Sequence, residues 1–250
     1  MGCVGEMASV QGRLDRAAVF LDFDGTLAEI VQRPELARAV EGARDALEAL
    51  AKRAALVAIV TGRPSLDVRA LIDVDHVEVH GLYGMEGDTD PAAGALVETI
   101  LPLAEVAAAE FPGAWVERKG LSVAVHVREA VDPGAAEAEL GPRLRALAAG
   151  FGLEVVTGKR VIELAAGRPS KGALVERLVA ERGAEAALFA GDDVADLDAF
   201  DALDRLEAAG LGTVRVAVRG AETPPGLLER ADVVVEGPAG LLALLQDLAA

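Results

Sequence analysis

Three stretches of this 250-residue chain are apolar almost without interruption: AAVFLDF at 17–23, AALVAIV at 54–60 and AALFAG at 186–191. Runs of this length that do not alternate suit strands covered on both faces, as in a parallel sheet. Between and after them lie segments of helix length: PELARAVEGARDALEALAKR at 34–53, opened by Pro34, then stretches near 66–72, 171–182 and 195–206. Strand-like runs alternating with helical ones are the pattern of βαβ units. VEVHG, TVRVAV, ADVVVE and the closing LLALLQDLA extend it. The expected fold class is α/β, a doubly wound, Rossmann-like parallel sheet.

The middle of the chain departs from this style. ERKGLSVAVHVREA at 117–130 alternates, with Val123, Val125 and Val127 on one side and Ser122, Ala124, His126 and Arg128 on the other. That is the pattern of a strand with one face buried and one open. LEVV and KRVIEL, joined through Thr157 and Gly158, read as a hairpin, and helical stretches lie near 92–110 and 135–149. Residues 87–167 are therefore expected to form an inserted α+β cap, leaving residues 1–86 and 168–250 as a discontinuous core.

With 41 acidic against 24 basic residues, the net charge of -17 disfavours nonspecific attraction to nucleic acid or to an anionic membrane. An anionic substrate would need positive charge placed locally. The single cysteine, Cys3, excludes an internal disulfide framework and suits a reducing compartment. No signal peptide or myristoylation pattern is visible, and no apolar run reaches the roughly 18 residues of a membrane span. A soluble, cytoplasmic monomer is the expectation.

In open α/β sheets the reacting groups gather at the carboxyl ends of the strands. Asp22 and Asp24 follow the first strand, Thr61 the second, Lys171 opens a helix, and Asp192, Asp193 and Asp196 follow AALFAG. Crowded carboxylates cost energy or force protonation. A hard divalent cation resolves the conflict, and a ligand set of oxygens without Cys or His favours Mg²⁺. The metal candidates are Asp22, Asp24, Asp192, Asp193 and Asp196. With the cation present, an aspartate can attack phosphorus, Asp24 can protonate the leaving oxygen and later activate water, and Thr61 and Lys171 can hold the nonbridging oxygens. Gly25 would let the backbone approach closely.

DFDGT, VTGR, SKG and GDDVADLDAF together resemble the four motifs of the haloacid dehalogenase superfamily of phosphohydrolases. The resemblance implies Asp22 as nucleophile through a phosphoaspartate, Asp24 as acid and base that also offers its carbonyl to Mg²⁺, and Thr61 and Lys171 on the phosphoryl group. It implies Asp192 on the metal, Asp193 and Asp196 orienting the metal shell, and Gly25, Thr26, Gly62 and Arg63 beside the substrate. GLYGME at 81–86, ERKGLSVAVHVR at 117–128 and GKRVIELAAGRPSKG at 158–172 are similar to the cap of trehalose-6-phosphate phosphatases. This implies a C2-type cap with sugar contacts from Glu117, Lys119, Arg128, Lys159 and Glu163, and a functional link to a trehalose-phosphate synthase.

Strand parity puts Lys159 and Glu163 on one face, whereas joining Glu117 and Lys119 to Arg128 requires a bulge, with Gly120 the candidate. Tyr83 stands where many relatives have histidine, and Ala165-Ala166-Gly167 replaces a stretch where arginine and proline are common. His80 and His126 are read as structural or rim histidines, and Trp115 as either core or sugar-facing. The expected activity is Mg²⁺-dependent hydrolysis of trehalose 6-phosphate. The competing readings are a sucrose-phosphate, mannosyl- or glucosyl-3-phosphoglycerate phosphatase and a catalytically silent regulatory module.

Overall fold

The computed structural model describes residues 7–86, 91–158, 160–167 and 170–250. In chain order the strands are β1 (Ala17–Leu21), β2 (Leu56–Val60), β3 (Val77–His80), β4 (Trp115–Lys119), β5 (Ser122–His126), β6 (Glu154–Gly158), β7 (Val161–Ala165), β8 (Ala186–Gly191), β9 (Gly212–Arg219) and β10 (Val233–Glu236). The chain divides into two compact units, Met1–Gly84 with Ser170–Ala250, and Met85–Pro169.

The first unit holds a six-stranded sheet in the order β10-β9-β8-β1-β2-β3. Every neighbouring pair is parallel. Side chains alternate across the strands, so β1 sends Ala18 and Phe20 to one face and Val19 and Leu21 to the other. One face packs with helices Ala43–Ala51 and Gly237–Ala249 through Leu47, Leu50, Leu241 and Leu245. The opposite face packs with helices Lys171–Arg182 and Asp196–Ala208 through Leu174, Leu178, Phe200 and Leu203. Covering both faces explains why β1, β2 and β8 read as unbroken apolar runs.

The second unit holds an antiparallel sheet of four strands in the order β4-β5-β7-β6. Val123, Val125, Ile162 and Leu164 pack with Ile100 of helix Pro91–Ala108 and with Leu140 and Leu144 of helix Pro133–Phe151. The latter helix is capped by Asp132, whose carboxylate accepts from the Ala135 N–H at 2.9 Å, and it stops at Gly152 with φ 68.

Three local expectations are corrected. The segment at 34–53 is not one helix: Pro34–Leu36 is a single 3-10 turn, and the helix begins at Ala43 after Gly42 takes φ 88. Residues 117–130 are not one strand but the two arms of a hairpin, with Lys119 opposite Ser122, Glu117 opposite Ala124 and Trp115 opposite His126. A two-residue turn, with Gly120 at φ 49, reverses the chain and exchanges parity, so Glu117 and Lys119 share a face with the even-numbered residues of β5 without the bulge expected for Arg128, which lies beyond the strand. In the second hairpin Gly158 is still paired, opposite Val161, so the chain reverses after it rather than through Thr157 and Gly158, and Arg160 takes φ 64.

Phe200 is fully buried and meets Phe189 edge-on at 6.4 Å and 84°. Phe200→Ala is expected to cost about 3–5 kcal/mol of stability, seen as a lower urea midpoint for the main unfolding transition followed by circular dichroism.

Candidate functional site

The carboxyl ends of β1 and β8 lie side by side in the sheet. The Asp22 N–H continues the ladder by donating to the Ala190 carbonyl at 2.9 Å, which holds the Asp22 carboxylate at the rim. Asp192 follows β8, and Asp196 opens the next helix. Its Oδ2 accepts from the N–H groups of Asp192 and Asp193, both at 2.8 Å, and so folds the connecting loop onto the strand end. Asp22, Asp192 and Asp196 are all buried, and each offers a carboxylate oxygen within 4.8 Å of the others.

Missing side chains make room for this group. A Cβ on Gly25, which takes φ 83, would fall on the Asp192 carboxylate, and one on Gly191 would fall on that of Asp196. Thr26 Oγ1 donates to Asp192 Oδ1 at 3.2 Å. Gly25 therefore shapes the space for Asp192, a role distinct from the close backbone approach inferred from its type.

Lys171 joins the group from the start of helix Lys171–Arg182. Its Nζ donates to Asp22 Oδ1 at 2.7 Å and to Asp196 Oδ1 at 2.6 Å, and it is buried. Burial alone would lower the lysine pKa, but Asp196 and Asp22 outweigh it and hold the ammonium charged, above its ordinary range. Burial raises the Asp22 carboxyl, Lys171 opposes that, and Asp196 and Asp192 reinforce it, leaving Asp22 well above the usual carboxylate range. Three carboxylates thus face one ammonium in a dry place. The all-oxygen donor set and the space cleared by Gly25 fit a hard divalent cation.

The remaining metal candidates lie outside that trio. Asp24 is clasped by Arg63, whose Nε and Nη2 each donate to its carboxylate at 2.6 Å. Arg63 Nη1 donates to the Pro34 carbonyl at 2.8 Å, and the guanidinium lies 5.6 Å from the Phe23 ring centre. Asp193 Oδ1 accepts from the Val194 N–H at 2.6 Å. Thr61 is buried, with its N–H on the His80 carbonyl at 3.1 Å, its carbonyl accepting from Tyr83 at 2.9 Å, and its Oγ1 accepting from the Arg63 N–H at 3.1 Å. A Cβ on Gly62 would strike the Tyr83 hydroxyl.

Two residues to which the sequence assigned no role at the site take part in this arrangement. Asp198 Oδ2 accepts from Ser170 Oγ at 2.8 Å and from the Gly172 N–H at 2.9 Å, gripping the helix start on both sides of Lys171. Tyr83 lies with its ring centre 5.8 Å from Lys171 Nζ and, like Leu82 before it, has a left-handed backbone, φ 55 after φ 51. The signal for Asp198 is in the motif GDDVADLDAF, whose last acid has no assigned task. For Tyr83 it is the departure from histidine.

In the second unit, the polar face of the sheet gathers Glu117, Lys119 and Glu163. Lys119 Nζ lies 3.8 Å from Glu117 Oε2 and 3.7 Å from Glu163 Oε2. Ser122 Oγ donates to Glu163 Oε1 at 2.5 Å. Arg128 lies in the turn after β5, half-buried, and Lys159 falls outside the described residues.

A family model described as trehalose-phosphatase matches residues 20–225. The chain belongs to that family. A trehalose-phosphate phosphatase of Mycobacterium marinum is 36% identical over 207 residues, which is 75% of this chain and 52% of that protein. An uncharacterized glycosyl hydrolase of Mycobacterium tuberculosis is 41% identical over 210 residues, 75% of this chain and 15% of that protein. The chain thus matches about half the length of the first and a small part of the second. In fold it is similar to the C-terminal domain of trehalose-6-phosphate phosphatase from C. albicans, with a TM-score of 0.84 at 22% identity, over 99% of this chain and 98% of that one.

Gly25→Ala puts a methyl group where the Asp192 carboxylate lies. It is expected to weaken binding of Mg²⁺, used as the probe cation, by roughly 10–100-fold in isothermal titration calorimetry, with an unchanged far-ultraviolet circular dichroism spectrum.

Proposed function

We propose that this chain is a Mg²⁺-dependent phosphatase that hydrolyses trehalose 6-phosphate to trehalose and phosphate through an aspartyl-phosphate on Asp22. The observation that carries the reading is the buried constellation of Asp22, Asp192, Asp196 and Lys171, with Thr61 following β2, the neighbour of β1, in a chain that matches the trehalose-phosphatase model over residues 20–225.

Asp22 supplies the nucleophilic oxygen, and its attack forms an O–P bond as the bond from phosphorus to the sugar oxygen breaks. Asp24 gives its proton to that departing oxygen, then takes one from the water that splits the aspartyl-phosphate, so Asp22 returns unchanged and phosphate leaves. The Arg63 clasp gives Asp24 a fixed direction, and its work as a proton carrier requires the clasp to loosen when substrate arrives.

Lys171 screens Asp22 from the charge of the incoming phosphate and holds a nonbridging oxygen. Thr61 accepts at Oγ1 from the backbone, which directs its own hydroxyl proton toward a second. Asp22, Asp192 and Asp196 would hold Mg²⁺, which when bound would supply the further positive charge that lets a carboxylate meet a phosphate ester.

Recognition of the disaccharide is assigned to the inserted unit, residues 87–167, through Glu117, Lys119, Arg128, Lys159 and Glu163. Carboxylates and an ammonium bracketing sugar hydroxyls by charged hydrogen bonds support this. Such a substrate implies a functional link to a synthase that makes the sugar phosphate. Among the described residues no helix is long and apolar enough to cross a membrane, and the reading extends to a cytoplasmic monomer.

Phosphate release from trehalose 6-phosphate is expected to require Mg²⁺ and to cease with EDTA. Its kcat/KM should exceed by at least about tenfold those for sucrose 6-phosphate and for glucosyl- and mannosyl-3-phosphoglycerate, a difference of about 1.4 kcal/mol in transition-state binding. A preference for another member of this panel would replace trehalose as substrate; a release of phosphate that ignores the metal would overturn the mechanism. Asp22→Asn is expected to lower kcat by roughly 10⁴-fold or more, measured in a stopped assay for free phosphate.

A further inference from the structure

Two aromatic rings share the polar sheet face of the second unit with Glu117, Lys119 and Glu163. Trp115 of β4 and His126 of β5 are directly opposed in the hairpin, and their rings stack with centres 3.9 Å apart and planes inclined by 4°. Glu117 is two residues along β4, a diagonal neighbour of His126 within reach of a long side chain. His126 Nε2 lies 2.7 Å from Glu117 Oε2, with the histidine 9% exposed and the glutamate 21% exposed.

Ser122, four residues earlier on β5, bonds Glu163 in the same way. Glu117 and Glu163 therefore each have a post on β5, with Lys119 between the two. A partly buried histidine–glutamate pair brings little net stability, because desolvation offsets its attraction. What the pair does fix is direction. A glutamate on a strand has several staggered rotamers, and an anchor at one oxygen selects among them before any ligand arrives.

We propose that His126, clamped by Trp115, is a positioning residue that holds Glu117 in the orientation needed to bind the sugar. This rests on the reading of the inserted unit as the sugar-recognition element. His126 does not touch the reacting atoms; it lowers the ordering cost of binding by setting Glu117 in advance.

The test uses the full chain with Mg²⁺ and three variants. His126→Phe keeps a ring for Trp115 to stack on and removes the nitrogen, His126→Gln returns an N–H near the same place, and His126→Ala removes both. His126→Phe is expected to raise KM for trehalose 6-phosphate about tenfold, the worth of a hydrogen bond to a charged group, with kcat changed by less than about twofold. His126→Gln restores most of the affinity, and His126→Ala loses at least as much as His126→Phe.

Trp115 is the chain's single tryptophan, so its emission reports on this face alone. An unchanged emission maximum shows the stack intact in His126→Phe, and titration with trehalose, followed through that emission, should weaken about tenfold in parallel. The assignment is overturned when His126→Phe matches wild type in KM and in trehalose affinity, or when kcat falls while KM holds. A wild type that releases no phosphate from trehalose 6-phosphate sinks the substrate reading and takes this assignment with it.

Discussion

The Lys171 ammonium lies within hydrogen-bond distance of two carboxylates from distant parts of the chain, Asp22 at 2.7 Å and Asp196 at 2.6 Å, and is almost wholly withdrawn from water. Removing it would leave three buried acids facing one another with no compensating charge, an arrangement far costlier than the pair is worth when complete. Much of the surrounding architecture serves to deliver that nitrogen. Asp198 and Ser170 fix the first turn of its helix. The parallel pairing of β1 with β8 brings Asp22 and the Asp192–Asp196 loop to one rim.

The same constraint divides labour between the two units. The first gathers three buried acids and a lysine around a sheet covered on both faces. The second has a sheet covered by helices on one face, and its other face carries acids, a lysine and an aromatic pair. On the proposed reading, the first performs a reaction that many phosphate esters could undergo and the second selects among them. On the same reading, an acidic chain of net charge -17 would handle an anion by concentrating a few cations where they are needed.

Much of this was legible in the sequence because the core strands are buried on both faces and so read as continuous apolar runs, each followed by a polar residue of the candidate site. Asp22, Thr61 and Asp192 were visible for that reason. The helix expected from Pro34 failed because the apolar spacing continues through residues where Gly42, at φ 88, breaks the backbone. The β4–β5 hairpin hid behind an alternation that runs almost undisturbed across its two-residue turn. Asp198, His126 and Tyr83 act through contacts between elements whose register or packing no local pattern encodes. The pairing of Trp115 with His126 requires knowing that Lys119 faces Ser122.

Gly25 and Gly191 show how the acid cluster is housed: the places their side chains would fill are taken by the carboxylates of Asp192 and Asp196. Such a site depends on absent atoms. Glycine cannot be trimmed further, so every replacement at these two positions adds bulk, and a lineage can lose the site there by gaining matter but never by shedding it. Drift in size, tolerated over most of a protein surface, is closed to this part of the chain in both directions.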